Sequence, residues 1–98
     1  MKLKYHPDAR DELRLAAEEY EACRIGLGIE FVEEIQAAIQ RILEFPRAWA
    51  PLSERTRRCL TNRFPYGIIY QVWDHELRII AVAHQSRAPG YWKNRLEP

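Results

Sequence analysis

The C-terminal end of this chain gathers the side chains best suited to chemistry on a charged partner. Tyr91, Trp92, Lys93 and Arg95 follow Pro89-Gly90, and Arg87 stands just before them. Aromatic rings beside cationic groups can stack on bases or anchor a protein interface. Trp92 can equally fold back as core, which would leave Tyr91 and Arg95 as the accessible pair. Arg57 and Arg58 are adjacent in a stretch that reads as a strand, so they point to opposite faces. One is placed to meet a partner, the other to cap helix carboxylates, and either can be a plain solvated side chain.

The charge is polarised along the chain. The formal net charge is only +1, yet residues 1–54 carry seven basic side chains against eleven acidic ones, and residues 55–98 carry eight basic against three acidic. Such polarity suits a face that meets an anion, whether phosphate or an acidic protein, or else two solvated faces of opposite sign. Cys23 and Cys59 have no CxxC spacing and read as reduced, inert, partly buried thiols. A Cys59–His84 nucleophilic pair would need the fold to bring them together. His6, His75 and His84 show no ligand spacing. No metal and no cofactor are expected.

The elements that must position these residues follow from periodicity. Lys2 to His6 alternates polar and apolar, a short strand with Leu3 and Tyr5 on one face. Pro7 suits a first helical position, and Asp8, Asp11 and Glu12 complement the dipole of the helix that follows. Leu13, Ala17 and Tyr20, widened by Ala9 and Ala16, form its apolar stripe, and Gly26 and Gly28 stop it near Arg24. A second helix is expected from about Ile29. Phe31, Ile35, Ile39 and Ile42 make its stripe, and Pro46 ends it after Phe45. The two helices form an antiparallel hairpin.

Residues 47–54 read as an irregular connection. Thr56 to Arg63 and Tyr66 to Trp73 read as strands, Asp74-His75-Glu76 as a turn, and Leu77 to His84 as a central strand apolar on both faces. Strict alternation puts His84 on the same face as Ile80 and Val82, at the rim of the sheet. The order is strand, helix, helix, strand, strand, strand. It predicts an α+β fold in which an N-terminal strand and a three-stranded antiparallel meander form one sheet under the helical hairpin.

A chain of 98 residues, 47% hydrophobic and 30% charged, with three Trp, five Tyr and three Phe, suits one globular domain over residues 1–98. No stretch approaches the ~18 apolar residues of a membrane span. No apolar run follows the N-terminal lysines as a signal peptide would require. The expected location is the cytoplasm, with no membrane partner.

Six blocks in order carry a resemblance to a known family. They are Tyr5-His6-Pro7-Asp8-Ala9-Arg10-Asp11-Glu12-Leu13, Gly26-Leu27-Gly28 with Phe31, Ile42-Leu43-Glu44-Phe45-Pro46, Arg58-Cys59-Leu60, Arg63-Phe64-Pro65-Tyr66-Gly67-Ile68-Ile69-Tyr70, and Ala81-Val82-Ala83-His84 through Arg87-Ala88-Pro89-Gly90-Tyr91-Trp92. Together they resemble the RelE/ParE superfamily of bacterial toxins from type II toxin–antitoxin operons, and they look closer to its ParE-like, plasmid-stabilisation branch. The resemblance implies a growth-inhibiting toxin, a cognate antitoxin that neutralises it, and a hetero-oligomer of the two.

The family shares a fold while its targets differ. ParE-like members poison DNA gyrase, whereas RelE-like members cleave mRNA on the ribosome. Cleavage through a cyclic phosphate needs a base for the 2′-OH, an acid for the leaving oxygen and cations for the phosphorane. By resemblance to RelE-like enzymes, Arg63, Arg87 and Tyr91, with His84 as the imidazole, occupy the comparable regions. This chain departs from the lysine-rich, strongly basic RelE-like pattern, having three lysines and a net charge of +1. That departure favours action on a protein such as gyrase, with Arg57, Arg58, Arg87, Tyr91 and Arg95 as the partner-binding set.

Overall fold

Lys2–Tyr5 form the first strand, β1, and His6 turns the chain into the first helix, α1, Pro7–Cys23. These and the following elements come from a computed structural model that describes residues 1–96. Glu97, counted above in the charge of the C-terminal half, lies outside the described residues. His6 is the N-cap: its Nδ1 accepts from the amide of Asp8 at 3.0 Å, and Pro7 occupies the first turn, where its missing N–H costs nothing.

The second helix, α2, runs Leu27–Glu44, starting two residues earlier than its apolar periodicity predicts. The reason lies in the preceding helix. The Glu21 carboxylate accepts from the amides of Gly26 and Gly28, at 2.9 and 3.0 Å, and so satisfies the orphan donors of the new helix. Gly26 takes a φ of 90°, which favours glycine. A Cβ on Gly28 would stand 2.5 Å from the carbonyl oxygen of Ala17, so this glycine sets how closely the helices cross.

The sheet has five strands in the order β1-β5-β4-β3-β2. β2 is Ala50–Pro51, β3 Thr56–Leu60, β4 Tyr66–Trp73 and β5 Glu76–His84. β1 lies parallel to β5, and the other neighbours are antiparallel. This is the α+β class and element order read from the sequence, with one strand more. The connection read as irregular contains β2, a two-residue edge strand whose Pro51 suits an edge, where a missing N–H is tolerated. β3 stops at Leu60, three residues short of expectation. There the Thr61 hydroxyl bonds the carbonyl of Phe64 at 2.7 Å and closes a turn.

The helices cover one face of the sheet. Phe31, Ile35, Ile39 and Ile42 are all buried, with Ala9 and Ala16 of α1 and Ile68, Tyr70, Leu77, Ile79 and Val82 of the sheet. A second, smaller cluster lies on the other face. There Trp92 packs on Ile69, Ile80 and Ala81, so its core reading holds. One irregularity divides the two faces. Tyr70 pairs with Ile79 but Ile69 pairs with Ala81, which leaves Ile80 as a bulge. Strict alternation therefore fails: Ile80 turns to the open face, while Val82 and His84 keep to the helix side. The Glu76–His84 run is apolar on both faces, so its alternation gave no sign of the shift.

All five tyrosines, Tyr5, Tyr20, Tyr66, Tyr70 and Tyr91, ionise above the ordinary 10.0, in each case first because burial disfavours the phenolate. Tyr70, whose hydroxyl donates to the Pro46 carbonyl at 2.7 Å, is pushed up to about 12. A pKa raised in the folded state adds stability that is fully present below the unfolded value and is lost as the pH climbs past it. Phenolate absorbance should thus rise in one cooperative step above pH 10, together with loss of circular dichroism. Ordinary tyrosine ionisation near pH 10 in a chain that keeps its fold would contradict this packing.

Candidate functional site

After β5 the chain runs back over the open face and ends in a single 3-10 turn, Lys93–Arg95. Glu12 of α1 holds this return segment. Its Oε1 accepts from the backbone amide of Val82 at 3.0 Å and from Arg95 at 2.9 Å, and its Oε2 accepts from the Tyr91 hydroxyl at 2.6 Å and from Arg95 at 3.0 Å. Arg95 also donates to the Ile80 carbonyl at 3.2 Å and lies 3.7 Å from Asp8. The Glu12 and Arg95 side chains are only 16% and 11% exposed, so the pair is well shielded and its charge-assisted bonds are strong. The Val82 amide and Ile80 carbonyl belong to β5 beyond the point where β1 stops pairing. Side chains thus seal an edge that no strand covers.

This network places several sequence-predicted residues differently than expected. Arg95, read as accessible, is mostly covered and spends its guanidinium on Glu12. Tyr91 is half-buried. Burial, the hydrogen bond to Glu12 and the charge of Glu12 hold its hydroxyl well above the ordinary range, with Arg95 and Arg87 opposing. Arg87 is exposed, its guanidinium 3.8 Å from the centre of the Tyr91 ring. His84 sits at the rim on the helix side. Its Nδ1 accepts from the Ser86 amide at 3.0 Å, and its ring meets Tyr66 edge-on with centroids 5.2 Å apart.

Arg63 lies elsewhere, bound to the acidic flank of α2. Its amide donates to Glu34 at 2.8 Å and its guanidinium to Glu30 at 2.7 Å, which holds the Glu30 carboxyl below its ordinary value. The structure therefore brings His84, Arg87 and Tyr91 to one end of the sheet, and Arg63, in the β3–β4 turn at that same end, is turned away onto α2. His84 and Arg87 share a recess whose walls also include Glu12 and Glu19.

Arg57 and Arg58 do point to opposite faces. Arg57 turns to the helix side and donates to the carbonyls of Arg47 and Trp49, at 3.2 and 2.7 Å. It caps main-chain carbonyls rather than helix carboxylates. Arg58 is exposed on the open face, paired in register with Ile69. Cys59 is buried on the helix face, where burial pushes its thiol up, and Cys23 is exposed rather than partly buried. Among the described residues, no group of three His, Cys, Asp or Glu side chains could hold a metal ion. Among the described residues, no helix is long and apolar enough to cross a membrane.

The open face carries a groove of about 300 Å³ between β3, β4 and the return segment. Leu52, Leu60, Gly67, Ile69 and Ala83 contribute apolar surface, and Arg58, Arg87 and Lys93 bring positive charge. Gly67 keeps the floor low: a Cβ there would stand 3.2 Å from the Leu60 side chain and 3.3 Å from that of Arg58. Sequence reasoning picked out Arg58, His84, Arg87 and Tyr91 and named Lys93 in the basic tail, but it missed Leu52 and Leu60 as groove residues and Glu12 as the clamp. Grouped with Asp8 and Asp11 as a complement to the dipole of α1, Glu12 called for no second role in the sequence, although it lies beyond the first turn.

Residues 3–89 match the family model described as the ParE toxin of the type II toxin–antitoxin system, parDE. Among solved structures, the fold is similar to a chain of the chromosomal ParDE toxin–antitoxin system from P. aeruginosa, with a TM-score of 0.61 at 14% identity. That alignment covers 86% of this chain and 95% of the other. At such identity the likeness speaks for the fold. No curated protein matches the chain.

Proposed function

This chain belongs to the ParE toxin family of type II toxin–antitoxin systems, and on that premise we propose that it is a single-domain, cytoplasmic toxin that binds a protein target, DNA gyrase being the expected one, and that a cognate antitoxin neutralises it in a hetero-oligomer. The observation that favours binding over mRNA cleavage is how the nuclease-type groups are engaged. Tyr91 donates its proton to Glu12 and holds it tightly, so it is a poor acid or base near neutral pH. On the helix side, the recess where His84 meets Arg87 also holds Glu19, which repels a phosphate, and Glu12, which is paired with Arg95; on the open face the same two residues reach the groove beside Tyr91, which keeps its proton. Arg63 is neutralised on α2.

The antitoxin has a suitable seat on the helix side. Leu13, Ala17, Ile29 and Val32 line an apolar depression between α1 and α2, which fits an amphipathic segment. Binding should be nanomolar or tighter, on the order of −12 kcal/mol. Titration of the purified chain with the product of the neighbouring gene measures it, and micromolar binding would speak against the pairing. Induced expression should arrest bacterial growth without cutting messages on the ribosome. Primer extension that finds new mRNA ends within translated codons during the arrest would transfer the assignment to ribosome-dependent cleavage.

A further inference from the structure

Arg58, Arg87 and Lys93 stand around the open-face groove, and no acidic residue among those described lines it. Among the described residues, none of the three cations pairs with a carboxylate, in contrast to Arg63, Arg78 and Arg95. Large apolar side chains lie exposed beside them: Leu60 is 48% and Leu52 41% exposed. Uncompensated positive charge around an aliphatic floor is complementary to a ligand that is both anionic and apolar. A nucleic acid fits less well. Single strands bind through aromatic platforms, and the Tyr91 ring is already covered by Arg87 at 3.8 Å, while Trp92 packs into the sheet.

We propose that this groove is the target-facing site and that it takes a short acidic polypeptide segment of the target, one that sets aliphatic side chains on the Leu60–Gly67 floor and carboxylates against Arg58, Arg87 and Lys93. The inference rests on the reading of the chain as a toxin that acts on a protein. The sheet separates the groove from the α1–α2 depression, so target and antitoxin meet chemically different surfaces: one cationic with an aliphatic floor, the other an apolar floor rimmed by Arg10, Arg14, Glu18 and Glu21, charges of both signs. Glu12 acts through Tyr91 as a positioning residue, since the ring it anchors carries Arg87.

The test uses the full chain and a short fluorescein-labelled peptide of alternating Glu and Leu, with an oligothymidylate of equal length as rival. The peptide should bind saturably by anisotropy. Arg58→Glu and Arg87→Glu should each weaken it by about tenfold or more, and added salt should weaken it further. Leu60→Ser should weaken it at unchanged net charge. Arg55→Glu, at an exposed arginine that stacks on Trp73 away from the groove, should leave it unaltered. Circular dichroism checks that each variant is folded. Absence of peptide binding, binding by the charge-reversed variants as tight as that of wild type, or tighter binding of the oligothymidylate would overturn the proposal. Growth arrest on induction reports separately on the toxin reading. Arrest by wild type and by Arg58→Glu alike would sink the groove and leave the toxin reading standing. Peptide binding as described from a chain that arrests nothing would do the reverse.

Discussion

Replacing Phe31 with alanine should cost about 4 kcal/mol, the range of a buried aromatic removed without relaxation around it. Phe31 is 0% exposed and lies among three other rings: Tyr20 at 5.1 Å, Phe64 at 5.2 Å and Tyr66 at 4.9 Å between centroids. Those rings come from α1, the β3–β4 turn and β4, so the cavity would open where the hairpin meets the sheet. They also pack on one another, Tyr20 against Phe64 at 4.8 Å, and they cannot all move inward to fill it. Small domains have only about 5–15 kcal/mol of net stability, so the variant should sit near the edge of folding. At roughly 4–8 °C per kcal/mol the melting temperature should fall by about 15–30 °C. Urea unfolding followed by circular dichroism measures the loss, and a cost below about 1.5 kcal/mol would mean that the ring cluster is looser than described.

The second large effect should come from Glu12→Ala. The substitution strands the Val82 amide and the Tyr91 hydroxyl and leaves Arg95 with the Ile80 carbonyl and the more distant Asp8. Removing one partner of a shielded, hydrogen-bonded pair exposes the desolvation cost of the other, and about 3 kcal/mol is expected here. The loss should be local before it is global. With Tyr91 and Arg95 released, the return segment should lift from Ile69, Ile80 and Ala81, and Trp92 fluorescence should shift to the red. Glu12→Gln keeps an acceptor for Val82 and should fall between the two. A double-mutant cycle of Glu12→Ala with Arg95→Ala should show coupling above about 1 kcal/mol. Additive losses without a change in Trp92 emission would remove the clamp from this account.

These two sites mark what could and could not be read in the chain alone. Phe31, Ile35, Ile39 and Ile42 were legible because a helix repeats every 3.6 residues and a polar flank sets off the apolar stripe. The helical hairpin and the meander followed from patterns of that kind and from the family resemblance, whereas Trp92 could be read either as core or as an accessible ring. The clamp had no such signature. Glu12 meets residues 70, 79 and 83 positions away, and read from the sequence it is one of three acids placed to complement the helix dipole, although in α1 only Asp8 stands in the first turn. The Ile80 bulge was hidden for a different reason: in a strand apolar on both faces, a one-residue shift leaves the pattern unchanged.

The groove was half legible. Arg58 and Arg87 stood out as cations in a basic half. The paired carboxylates that remove Arg63 and Arg95 from the free set lie far away in sequence. The leucines of the floor belong to β3 and the connection before it, and only the strand order brings them under the return segment. Charge counted along the chain therefore overstated how many arginines are available and said little about where they gather.

The most direct test of a protein-directed toxin is the supercoiling of relaxed plasmid by purified DNA gyrase in the presence of this chain. Supercoiling should stall as the chain is added and resume when the antitoxin is supplied. Supercoiling that runs at its full rate under a large excess of folded chain would contradict gyrase as the target.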